Sequence, residues 1–296
     1  MVVGQKKSKK IFGYASWTLN GNIAVIGYTQ GINVLLNLFF GPIVNAARGI
    51  AVQIQTTTSQ FCMNFLMATQ PQITKSYAIG DYKYMHKLVI YSSKISFFLM
   101  LLIAMPILIN MDSILYFWLG NVPQHTASFS RIILVTSMNY ALSYPTNTAI
   151  HATGNIKRFQ IIEGTLLLSV VPIAYILLKF FYINPEQVLI TYLIIETITQ
   201  FIRVWIVYPQ IGLTFKHYIM QIIYPILCVA VPTSFVCYSL FLLTDQSIIH
   251  TFFNCLACIL CTGSFIYLIG LRKNEKEFVV KQIKKRIFKK KTQTFQ

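Results

Sequence analysis

Charge is what this sequence has least of. Only 11% of its 296 residues are Asp, Glu, Lys or Arg, whereas 55% are apolar. A water-soluble domain carries about a quarter charged residues. So few charges cannot clothe a solvated surface, so lipid must be the solvent for much of the chain. Acidic residues are rarer still, 8 against 25 Lys and Arg, for a net charge of +17. Such an excess suits nucleic acid when the basic residues cluster on one face. Here they sit between and after long apolar runs, which suits membrane orientation and anionic headgroups. A lipid bilayer is the expected partner, and nucleic acid is not.

The motifs of soluble active sites are missing too. There is no glycine-rich phosphate loop, no HExxH and no GxSxG, so neither an enzymatic activity nor a cofactor is expected. The five histidines (His86, His125, His151, His217 and His250) all fall near the ends of apolar runs and read as interface residues rather than ligands. Cys62, Cys228, Cys237, Cys255, Cys258 and Cys261 lie inside apolar stretches. Cys255, Cys258 and Cys261 have metal-like spacing, but on an apolar helix they read as small apolar residues. Neither a metal nor a disulfide is expected. The basic start MVVGQKKSKK lacks the short apolar core and cleavage site of a secretory signal.

Long apolar segments are abundant. A spanning helix needs roughly 20 mainly apolar residues, and candidate spans cover 12–39, 44–69, 87–109, 128–151, 158–181, 187–208, 219–243 and 248–271. Turn residues separate them: Gly41-Pro42, Gln70-Pro71, Gly154-Asn155, Asn184-Pro185 and Pro209. The first two spans are rich in Asn, Gln and Thr and rank weakest by hydropathy. The expected fold is an all-α integral membrane protein of about eight spans.

Basic residues alternate along its connections. Lys6, Lys7, Lys9 and Lys10 precede the first span, and none follows it; Lys75, Lys83 and Lys87 come next, then none between Met111 and Thr126. Lys157 and Arg158 follow, none lies between Tyr182 and Gln187, Lys216 comes after, and none lies between Leu243 and Ser247. Arg272 to Lys291 is densely basic. The positive-inside rule then places both termini in the cytoplasm. The chain divides into a basic leader (1–11), a bundle of the first six spans (12–208), two peripheral spans (209–271) and a basic tail (272–296). In the tail, Phe278, Val279, Ile283, Ile287 and Phe288 could face lipid and the intervening lysines headgroups; a plain solvated tail fits as well.

Polar groups inside apolar spans are the informative positions, because each must face protein, water or a ligand. Asn22, Thr29, Asn33 and Asn37 fall at helical spacing on the first span, and Asn45, Arg48, Gln55, Thr56 and Ser59 on the second. Two such stripes would line one hydrophilic cavity; alternatively they hydrogen-bond across a packed interface. Arg48 favours the cavity, since a guanidinium suits a carboxylate or phosphate better than dry packing. Lys94, Glu163, Glu196 and Arg203 are further charges inside spans. Glu196 and Arg203 share a face, but about 10 Å of helical rise separates them, so a direct pair is not expected. Glu163 and Glu196 are candidate coupling-ion sites or structural acids held by neighbouring helices.

The segments LNLFFGPIVNAARGIAVQIQ (36–55), ATQPQITKSYAIGDYKYMHKL (68–88), FWLGNVPQHTASFSRIIL (117–134) and ATGNIKRFQI (152–161) resemble the C-terminal part, helices seven to fourteen, of Wzx-like polysaccharide flippases of the MATE/MOP transporter superfamily. The resemblance implies one six-helix lobe plus two peripheral helices in a bacterial inner membrane. It implies translocation of undecaprenyl-diphosphate-linked oligosaccharide for O-antigen, capsule or exopolysaccharide export. Arg48, Lys94 and Arg203 would then attract diphosphate oxygens. The family's first lobe has no counterpart here, so a longer protein, a partner for that lobe or other polysaccharide-assembly proteins are expected. Two alternatives stand beside this: a cation-coupled multidrug antiporter of the same superfamily, and a non-transporting membrane fragment or scaffold.

Overall fold

The computed structural model describes residues 2–243, 247–273 and 275–276, with side chains from residue 12 onward. The expected amphipathic tail lies outside the described residues. Among them no strand occurs, and the elements in chain order are helices α1 (Val2–Phe40), α2 (Pro42–Ala78), α3 (Tyr82–Ile109), α4 (Met111–Leu119), α5 (Thr126–Thr153), α6 (Lys157–Phe181) and α7 (Pro185–Gln210). Helices α8 (Phe215–Leu242) and α9 (Ile248–Gly270) follow, each containing one π-helical turn. Among the described residues six helices are long and apolar enough to cross a membrane: α3, α6, α7, α8, α9 and the Phe12–Phe40 part of α1. The protein is an all-α, multi-pass membrane protein.

Local chemistry sets the helix ends. Gly41, at φ 83°, turns the chain in a conformation that L side chains avoid, and Pro42 opens α2. Asp81 caps α3 by accepting from the Tyr84 amide, and Gly154, at φ 72°, closes α5. Asn184 and Gln187 form a capping box at the start of α7. Because these turns are short, successive long helices run in opposite directions. One end of the bundle therefore gathers Lys75, Lys83, Lys87, Lys157, Arg158 and Lys216. The far end holds Gly41, α4 and Tyr182. Among the described residues three basic ones lie towards that far end, Arg48, Arg131 and Lys179; Arg131 is paired with Asp112 at 2.5 Å.

Helix α5 is the centre, packed against α2, α3 and α7. Pro145 lies inside it and has no N–H for the Ala141 carbonyl one turn back. Ser96 of α3 supplies the missing donor, its Oγ bonding the Ala141 carbonyl at 2.8 Å. Helix α1 packs mainly on α6 and meets α2 only sparingly, while α8 and α9 lean on α3 and on each other. Apolar packing divides into a large cluster among α2, α3, α5, α7, α8 and α9, and a smaller one at the far end of α1, α2, α5, α6 and α7.

Candidate functional site

Over the lysine-bearing half of the bundle, α1 and α6 on one side and α2, α5 and α7 on the other enclose a cavity of about 810 Å³. Its walls come from α1 up to Tyr28, α2 from Gln55 onward, α5 from Thr136 onward, the start of α6 and the middle of α7. Five tyrosines line it, Tyr14, Tyr28, Tyr140, Tyr144 and Tyr192, with Asn22, Gln55, Gln70, Asn147 and Gln160 between them. Asn147 Oδ1 is buried in this wall without a protein partner. Towards the far end the cavity stops where the Tyr28 and Tyr192 hydroxyls meet at 2.9 Å. Beyond them Ile32, Leu36, Val44, Phe129, Val170 and Leu189 fill the space.

The charged part of the lining is compact. Arg203 Nε donates to Glu163 Oε1 at 3.0 Å and Nη2 to the same oxygen at 2.5 Å. Nη2 also reaches Glu196 Oε1 at 3.4 Å, and Nη1 donates to Gln200, which in turn donates to the Tyr218 hydroxyl at 2.9 Å. Two carboxylates face one guanidinium, so with its acids ionised the cluster has a surplus negative charge. Only Glu163 is appreciably open, at 15% side-chain exposure against 7% for Glu196 and 3% for Arg203. At the mouth, Tyr14 and His151 Nδ1 join α1 to α5 at 2.8 Å.

The direct contact between Glu196 and Arg203 corrects the expectation from their spacing. Side chains on a helix lean towards its N-terminus, so the long arginine reaches back across two turns to Glu196.

Of the sequence candidates, Asn22, Gln55, Glu163, Glu196 and Arg203 meet in this cavity. Arg48 does not line it. It is 8% exposed and donates to Asn33 Oδ1 and to the Thr29 carbonyl, tying α2 to α1 near their turn. Asn37 and Asn45 lie on that same α1–α2 hairpin, and Ser59 is half-buried further along α2. Lys94 lies elsewhere, on α3, where Nζ donates to both carboxylate oxygens of Glu275 at 2.8 and 2.6 Å. The two stripes therefore serve different ends: Asn22 and Gln55 face the cavity, while Thr29, Asn33 and Arg48 form a joint.

Composition alone did not single out the tyrosines or the α5 wall. The run TSMNYALSYPTNTAIHAT in α5 was the available signal, since it is unusually polar for a span. Its hydroxyls mostly bond the preceding helical turn, as Thr136, Ser137 and Thr148 do, which lets them sit among apolar neighbours. Among the described residues no cluster of His, Cys, Asp and Glu is arranged to hold a metal ion. No family model, curated protein or solved structure matches this chain.

Proposed function

We propose that this chain forms a substrate-cavity wall of a membrane translocase that moves lipid-linked oligosaccharide, acting within a longer protein or beside a partner bundle. In this reading α1, α2, α3 and α5 to α9 all cross a bacterial inner membrane, with both termini and the cavity mouth on the cytoplasmic side. The observation that carries it is the lining: tyrosine rings with carboxamides and hydroxyls, inside a membrane-embedded bundle. Ring faces pack on the C–H faces of sugars, and carboxamides both donate to and accept from sugar hydroxyls.

The charge cluster argues against one part of the resemblance. Arg203 is held by two acids and Lys94 by a third, so neither is free to draw in a diphosphate. The cavity is suited to the sugar portion, and the surplus carboxylate to a proton or cation whose binding neutralises it. That surplus also supports the second reading, a cation-coupled antiporter for a cationic drug. Glu163→Gln, made in cells that carry the gene at native expression, separates the two. Loss of surface glycan with accumulation of its lipid-linked precursor supports the first; normal glycan export with lost drug resistance supports the second.

A further inference from the structure

The outward face of α2 is polar, exposed and unused by the cavity. Ala46, Gly49, Gln53, Thr56, Gln60 and Asn64 recur three or four residues apart and are all exposed. They form one straight stripe, opposite the α2 face that packs on α3 and α5. The stripe crosses the middle of a 37-residue helix, at the depth where its neighbour α3 is strongly apolar. Among the described residues its polar groups find partners only on their own helix: Gln60 Nε2 donates to Asn64 Oδ1 at 3.2 Å, and Thr56 Oγ1 to the Val52 carbonyl at 2.8 Å. Hydrocarbon would leave the remaining carboxamide donors and acceptors unsatisfied. A Cβ added at Gly49 would meet nothing within 4 Å, so Ala46 and Gly49 leave room for another helix to approach closely.

We propose that this stripe is the surface through which two copies of the chain pair in the membrane, α2 against α2, about a two-fold axis along the membrane normal. Such a parallel pair sets each residue of the stripe near its own copy. A charged residue in that position would repel itself, and in a chain of net charge +17 this stripe holds no charge at all. Carboxamides donate and accept at once, so Gln53, Gln60 and Asn64 can each bond their own copies at one level, as a buried Asn does in a coiled coil. The stripe is not an outer continuation of the cavity, because Gln55, through which α2 lines it at that depth, points to the other side of the helix. The pairing rests on α2 crossing the membrane beside α3 and α5, and not on what the cavity carries.

Single-cysteine additions to the full-length chain, oxidised in native membranes with copper phenanthroline, test this against the wild-type chain as background. Gln53→Cys and Gln60→Cys are expected to give a dimer-sized product at several times background, and Gln55→Cys at background. Differently tagged wild-type copies should co-purify, and a Gln53→Leu/Gln60→Leu variant should lose most of that co-purification. If Gln60→Cys fails to reach the membrane, Thr57→Cys on the same face replaces it. Absence of the dimer product overturns the pairing whatever else is seen. In that case labelling of Gln60→Cys by a water-soluble maleimide marks an aqueous path, and a cross-link to a different protein marks a foreign partner.

Discussion

Arg203 shows how much a single buried charge depends on its neighbours. With Glu163 and Glu196 in place, its guanidinium is almost fully satisfied; remove it, and two carboxylates are left together inside a membrane bundle. Breaking a buried ion pair from one side costs about 3–5 kcal/mol, whereas replacing every member by neutral groups of similar size is often tolerated. Arg203→Met should therefore sharply reduce folded protein in the membrane, read as thermal stability in detergent. A Glu163→Gln/Arg203→Met/Glu196→Gln variant should recover most of that stability while remaining inactive in transport. Equal stability of Arg203→Met and the wild type would mean that the cluster is not held as described. The same logic applies to Lys94, 1% exposed and paired with Glu275. Glu275→Gln should destabilise more than Lys94→Met/Glu275→Gln, again by thermal melting. The sequence marked Lys94, Glu163, Glu196 and Arg203 as out of place in a span, but not Glu275, which lies beyond the last one. It could not show which acid met which base, because Glu163 and Arg203 are 40 residues apart and the reach of Arg203 depends on side-chain direction rather than on rise along the axis.

Along its seam with α6, α1 carries glycine where α6 side chains press against its backbone. A Cβ at Gly31 would lie 2.4 Å from Val171 Cγ2, and one at Gly27 would lie 2.9 Å from Leu168 Cδ2. Crowding of this kind costs roughly 1–3 kcal/mol, so Gly31→Leu should lower thermal stability by that order, with Val171→Ala in the same chain restoring part of it. No rescue would place the cost in α1 itself rather than in the seam. Apolar length made α3, α6, α7, α8 and α9 readable as spans, and turn residues made their ends readable. Helix α2 was harder, since its carboxamides and hydroxyls lower its hydropathy and serve three faces: the joint at Arg48, the cavity at Gln55 and the outer stripe at Gln60. One-dimensional spacing put Arg48 and Gln55 on a shared stripe. Only the splaying of α1 from α2 beyond the Arg48 joint separates their surroundings.

For the whole molecule, antiparallel packing of the helices gathers most of the basic connections at one end, and the proposed orientation puts that end in the cytoplasm. A cytoplasmic reporter fused after Lys291 should be active, and one inserted near Val122 should behave as periplasmic; the reverse pattern would contradict the proposed orientation. The cavity lies in the lysine-bearing half and ends at the Tyr28–Tyr192 contact, so in this state it should admit water and cargo from the cytoplasmic side alone. Asn147, with its unpartnered Oδ1 in the cavity wall, is the position that reports this best. The decisive measurement is labelling of Asn147→Cys by a membrane-impermeant maleimide in oriented vesicles, with the wild-type chain as background, before and after adding lipid-linked oligosaccharide. The account predicts labelling from the cytoplasmic face, little from the other, and several-fold slower labelling once the glycolipid is present; absence of labelling from the cytoplasmic face, or a rate unchanged by the glycolipid, would contradict it.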